Sequence, residues 1–183
     1  MREFDNTTLP NQHEVVTGLL KGDLKKIEKL PQTKKPEDIT VDKYEVNAGS
    51  VYDLLWICNQ IDYKLKICGV STNKRQNLII ALVETINNAQ QHGYKFAKDK
   101  IVVINLFKIG EDYLWIGVES MGEPIPLDKI TSLLNENNPL KIGVRSGRGY
   151  ILVNKSVDVL YVSHYEFYTE VFLGIFKINK MKN

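Results

Sequence analysis

Glu84 and Asn88 stand four residues apart in ALVETINNAQQHGY, residues 81–94. On a helix that spacing puts a carboxylate and a carboxamide on one face, one turn apart. Two oxygen-bearing groups so placed could together meet a hydrated magnesium ion, which takes oxygen ligands and keeps several of its waters. The carboxylate could also act as a base toward a water or a hydroxyl. A plainer reading stays open. Ile79, Leu82, Ile86 and Ala89 form an apolar stripe on roughly the opposite side, and the polar stripe, with Asn77 and Gln91 in line, would then simply face water. Ile80 and Ala81, beside Glu84, argue for partial cover.

Two later stretches carry residue types that suit the same chemistry. In VESMGEPIP, residues 118–126, Gly122 lets the backbone pass close to a ligand. Leu114, Ile116, Val118 and Ser120 alternate onto one strand face, so Ser120 is expected to point into the interior that holds Glu84. An ordinary strand-ending turn fits this stretch equally well. In GVRSGRGYILV, residues 143–153, Gly143, Gly147 and Gly149 precede a helix, with Arg145 and Arg148 among them. Free N–H groups and the dipole at a helix N-terminus favour phosphate, although a flexible loop would have the same composition. The stretch is not a P-loop, because the closing Lys-Ser/Thr is missing. Nor does a βαβ unit surround it, as a dinucleotide fingerprint requires.

The elements that must position these groups follow from periodicity. KYEV is a short strand candidate, and SVYDLLWICNQI a helix with Ser50 as N-cap. STNKRQNLIIALVETINNAQQHG is the strongest helix, opened by Ser71 or Thr72 and closed by Gly93. KIVVINLFKI and DYLWIGVES are two strands joined by a turn at residues 110–112. LDKITSLLNE reads as a short helix and SGRGYILVNKSV as a glycine-started one, and DVLYVSH and EFYTEVFLGIFKI are two closing strands. Ahead of all these, Val15, Val16, Leu19, Leu20, Leu24 and Ile27 recur at helical spacing over residues 12–30, and PQTKKPEDIT reads as a linker. Residues 1–43 are therefore expected to be a helical appendage with its linker, and residues 44–183 the domain. Helices and strand pairs fall in separate groups, which predicts a two-layer α+β sandwich rather than a doubly wound sheet.

Composition sets the outer limits. At 183 residues, 43% hydrophobic and 25% charged, the chain reads as one globular domain with a short appendage. A net charge of +2 with scattered lysines makes no basic stripe, so nucleic acid is not an expected partner. No apolar run approaches the ~20 residues that span a bilayer, and MREFDNTTLP lacks a signal-peptide core. Cys58 and Cys68 sit in apolar stretches without metal-type spacing and are expected to be reduced and buried, as in a cytoplasmic protein. His13, His92 and His164 are too far apart in sequence to suggest a histidine metal site.

Taken in order, these motifs resemble the GHKL (histidine kinase-like) ATPase superfamily, and within it the bacterial anti-sigma factor serine/threonine kinases. ETINNAQQHGY is similar to that family's Glu-x-x-x-Asn-Ala-x-x-His-Gly box, and RSGRGYILVNKSVD to its Arg-Ser-Gly-x-Gly segment with the helix and Asp that follow. The similarity runs from about Tyr44 to Lys180. It implies a histidine kinase-like sandwich, with a mixed, mostly antiparallel sheet covered on one face by helices. It also implies ATP and Mg²⁺ as cofactors. Asn88 would coordinate the metal and Glu84 would act as the base or water-orienting carboxylate. Arg145 would contact the terminal phosphate during transfer, Gly147 and Gly149 would present backbone to the phosphates, and Gly122 would line the adenine pocket. The family places an Asp two residues before that last glycine, where this chain has Ser120, and Pro124 replaces its second glycine. A neutral acceptor contributes about 0.5–1.5 kcal/mol against roughly 1.5–3 for a charged one, so nucleotide binding is expected to be ~10-fold weaker or less selective for adenine.

The activity so implied is transfer of the ATP γ-phosphate to a serine of a small antagonist (anti-anti-sigma) protein, by a homodimer that sequesters a sigma factor. The alternative is a catalytically inactive regulatory module of the same fold, working by nucleotide-gated or nucleotide-free protein contacts. A histidine-kinase fragment fits less well, because His13 stands beside a single helix rather than in a dimerising hairpin.

Overall fold

A computed structural model describes residues 39–47, 49–93, 101–109, 113–121, 148–164 and 168–176. The described elements run β1 (Ile39–Asn47), α1 (Val51–Ile67), α2 (Thr72–Asn88), a π-helical turn (Ala89–Gly93), β2 (Ile101–Ile109), β3 (Tyr113–Met121), α3 (Arg148–Ser156), β4 (Val159–His164) and β5 (Tyr168–Phe176). The strands form one sheet in the order β1-β2-β3-β5-β4, and every pairing is antiparallel. The three helices lie on one face, giving the expected two-layer α+β sandwich.

Each helix is held by local chemistry. Ser50 Oγ accepts from the Asp53 N–H (3.2 Å) and donates to Asp53 Oδ1 (3.0 Å), while Asp53 Oδ2 accepts from the Asn47 N–H (3.0 Å). The strand-to-helix corner is thus tied from both sides. At the other end of α1, Gly69 takes φ 77°. Its N–H donates to the Lys66 carbonyl, and the Val70 N–H to that of Leu65, each at 3.0 Å. Val70 and Leu65, the ends of this Schellman turn, are both buried in the same core cluster. Arg75 secures the corner into α2, its guanidinium donating to Asp62 Oδ1 (2.9 Å) and to the Val70 carbonyl (3.2 Å).

The core lies between the layers. Ile57, Ile61 and Leu65 from α1, Leu78, Leu82 and Ile86 from α2, and Val153 from α3 pack against Ile104, Ile116 and Leu173 of the sheet. On the helix side, Leu114, Ile116, Val118 and Ser120 share one strand face, as the alternation predicts, and all four are buried.

Some sequence expectations are sharpened. The first strand starts at Ile39, inside the segment read as linker, because Ile39, Thr40 and Val41 pair with Ile109, Lys108 and Phe107. Pairing with a long neighbour extends a strand beyond what local composition signals. Cys58 and Cys68 are free thiols but only half-buried, and burial pushes the Cys58 thiol up. The predicted helices over residues 12–30 and 127–136 lie outside the described residues.

Candidate functional site

The polar stripe of α2 meets another helix. Gly149, in the first turn of α3, lies directly over it. A Cβ on Gly149 would come within 3.0 Å of Glu84 Oε2, 3.1 Å of Asn88 Oδ1 and 3.2 Å of Asn88 Nδ2. A methyl group there would have to displace both side chains, so glycine is required by close approach. Glu84 and Asn88 are half-buried as a result, while Asn77 and Gln91 further along the stripe are exposed. Of the two apolar residues beside Glu84, Ala81 is buried and Ile80 exposed.

Two polar residues on α2 show what sets Asn88 apart. Thr85 is buried and satisfies its hydroxyl by donating to the Ala81 carbonyl at 2.8 Å, one turn back on its own helix. The Asn88 amide nitrogen is also buried, yet it has no acceptor among the described residues. Leaving a buried N–H unpaired costs about 1–3 kcal/mol, so such groups stand out in a folded protein. The helix changes character at this point. The α-helical ladder ends at Asn88 and the backbone continues as a π-helical turn, a distortion that recurs at functional sites.

From the sheet side comes Ser120, buried near the end of β3 on the helix-facing side, against which the π-helical turn also packs. The structure therefore joins Glu84, Asn88 and Gly149 in one cluster and sets Ser120 in the layer opposite. Gly122, Arg145 and Gly147 lie outside the described residues.

The donor set fits a magnesium–phosphate group. A carboxamide offers one oxygen for a metal and an N–H pair for a phosphate oxygen. Gly149 brings backbone rather than a side chain against Glu84 and Asn88, and a helix start such as that of α3 offers N–H groups without intrahelical partners. No cluster of three His, Cys, Asp or Glu side chains occurs among the described residues. A metal here would thus be held largely by ligand oxygens and water, as Mg²⁺ commonly is in phosphate sites.

A second acidic locus was not anticipated from sequence. Glu119 of β3 and Glu170 of β5 are paired across the strands on the sheet's outer face, away from the helices. Burial, and then the Glu119 carboxylate, push Glu170 up to about 8. Burial raises Glu119 too, with the Lys43 ammonium pulling the other way. Gly117 makes room for this pair, since a Cβ there would sit 3.0 Å from Glu170 Oε1. The sequence signal is a glutamate directly before the apolar run VFLGIF, but strand register is needed to see its partner.

A scan against protein-family models finds no match, and a search of curated proteins finds none. Solved structures do match. One is a crystal structure of the RsbU and RsbW domains of Rv1364c from Mycobacterium tuberculosis, with a TM-score of 0.53 at 16% sequence identity. The match covers 75% of this chain and 32% of that one, so this chain corresponds to about a third of the matched chain's length. At this identity the likeness establishes the fold, which is the α+β sandwich the sequence resemblance implied.

Proposed function

We propose that the chain binds Mg·ATP where α2 meets α3 and acts as an anti-sigma-type protein-serine kinase. The observation that carries this reading is the Asn88 amide nitrogen, buried and unpaired beside Glu84 where the backbone of Gly149 closes over both side chains. The order of the two sequence boxes and the fold shared with an RsbW-containing structure support it.

In this reading Asn88 holds the metal and orients the phosphates, with the α3 N-terminus and the backbone at Gly147 and Gly149 facing them. Bound Mg²⁺ would neutralise phosphate charge as transfer proceeds. Glu84 accepts the proton of the attacking serine hydroxyl. The serine oxygen bonds to the γ-phosphorus, the bond to the β,γ-bridging oxygen breaks, and ADP leaves. Arg145 stabilises charge on the transferred group. The acceptor is a serine of an antagonist protein, and the regulated partner is a sigma factor.

A homodimer belongs to the same reading. One side of α1 buries Ile57, Ile61 and Leu65, while Tyr52, Leu55, Trp56, Tyr63 and Ile67 stand exposed on the other. That apolar stripe adjoins β1, an edge strand of the described sheet, which a second copy could extend.

The second reading, an inactive regulatory module of the same fold, is favoured by one observation. Buried Ser120 occupies the position where a charged acceptor for adenine is expected. Incubating the full chain with radiolabelled ATP, Mg²⁺ and candidate antagonists separates the two. Labelled serine on an antagonist, lost in Glu84→Gln, supports the kinase. Nucleotide binding without transfer to any antagonist supports the inactive module.

A further inference from the structure

The outer face of the sheet is covered at one end and bare at the other. Strand register arranges that face in rows. One row runs Val41, Phe107, Trp115, Gly174 and Val159, and the next runs Lys43, Asn105, Gly117, Phe172 and Tyr161. Within these rows Trp115 is 4% exposed and Phe172 2%, and Val159 is fully buried. The Trp115 ring lies against Gly174, where a Cβ would be 2.9 Å from it, and Phe172 packs between Phe107 and Tyr161. At the far end of the same face, Ile101 and Met121 are 53% and 61% exposed. The core built by the three helices includes none of Phe107, Trp115, Val159 or Phe172. An open sheet face would leave all these side chains as bare as Ile101 and Met121, so the aromatic end has a cover of its own.

We propose that residues 12–30 of this same chain form that cover, laying their apolar stripe on the Phe107–Trp115–Phe172–Val159 face as a third layer. Chain direction favours this segment. It leads through residues 31–38 into β1, which starts at Ile39, two residues from the Val41 row and so at the aromatic end. Nineteen residues of helix span about 28 Å at ~1.5 Å each. Five strands ~4.8 Å apart are only about 19 Å across, so the segment is long enough to cross them. Val15, Val16, Leu19, Leu20, Leu24 and Ile27 supply the apolar surface. Residues 177–183, KINKMKN, leave β5 at the same end but offer only Ile178 and Met181 among three lysines. The same cover accounts for the half-buried Glu170, which sits one row beyond Phe172.

The test uses proximity to Trp115 in the full chain. Trp56→Phe leaves Trp115 as the sole tryptophan, and Cys58→Ala with Cys68→Ala clears the native thiols. A nitroxide is then attached at Leu20→Cys or, in a parallel protein, at Ile178→Cys. Trp115 is expected to lose most of its emission with the label at position 20, compared with the reduced, diamagnetic label, and little with the label at 178. If the position 20 protein does not fold, Leu24→Cys replaces it. Quenching from 178 alone would assign the cover to the C-terminal residues. Quenching from neither would assign it to another segment or to a second copy. Either result overturns the proposal.

Discussion

Glu84 and Glu170 occupy the same local device on opposite faces of the sheet. In each case a glycine faces the carboxylate, and its missing side chain leaves one oxygen only 3.0 Å from where a Cβ would be: Gly149 over Glu84, Gly117 over Glu170. What surrounds each pair differs. Glu84 has the Asn88 carboxamide one turn away, with its unpaired N–H, and lies at the seam between two helices. Glu170 has a second carboxylate as neighbour, two aromatic rings beside its glycine, and enough burial to hold its proton up to about pH 8. The same close approach thus gives a polar cradle on one face and a neutralised, packed acid on the other. A glycine beside a carboxylate identifies neither. The neighbouring donors do.

The largest expected effect concerns the outer acid. Its folded pKa, about 8, lies above the ordinary 4.5, so the folded chain keeps a proton that the unfolded chain gives up. That contribution is complete below pH 4.5 and is lost as pH rises through 8, which amounts to a few kcal/mol at most. Urea unfolding across this window should show stability falling with pH, and Glu170→Gln should flatten the slope. An unchanged slope would mean that Glu170 is ionised in the fold.

Next comes the inner glycine. Gly149→Ala pushes a methyl onto Glu84 and Asn88, and nucleotide affinity should fall by ~10-fold or more, about 1.4 kcal/mol. Calorimetric titration with Mg·ATP would measure it. The matching change outside, Gly117→Ala, meets Glu170 and the Phe107 and Phe172 rings at 3.0–3.3 Å. It should cost about 1–3 kcal/mol of stability by overpacking and leave nucleotide affinity alone. If the two alanines had the same effects, the contrast between the faces would fail. The smallest effect is that of Gly69→Ala, remote from both, where a positive φ makes alanine about 1 kcal/mol less stable in thermal unfolding.

Local pattern carried much of this structure. The wheel through residues 79–91 placed Glu84 and Asn88 on one face, and alternation along β3 put Ser120 on the helix side. What local pattern omits is whatever a distant segment decides. Alone, the polar stripe of α2 looks like a solvated face; only the arrival of Gly149 from 61 residues beyond Asn88 closes it. Trp115, Gly117 and Glu119 likewise read as the outward half of an alternating strand. Their burial beside Phe172 and Glu170 follows from β3–β5 register, which neither strand encodes alone. β1 is longer than the sequence reading because Ile39 and Thr40, beside a proline- and charge-rich stretch, declare a strand only by pairing with β2.

The proposed function requires that Asn88 be kept for a ligand. Titrating Mg·ATP into the full chain and into Asn88→Ala, with thermal unfolding of both in the absence of nucleotide, tests this most directly. The prediction is binding that requires Mg²⁺, weakened ~10-fold or more by the substitution, with the unliganded melting temperature unchanged or raised because a buried unpaired N–H has gone. Equal affinity in the two proteins, or no binding by the parent at millimolar nucleotide, would contradict it.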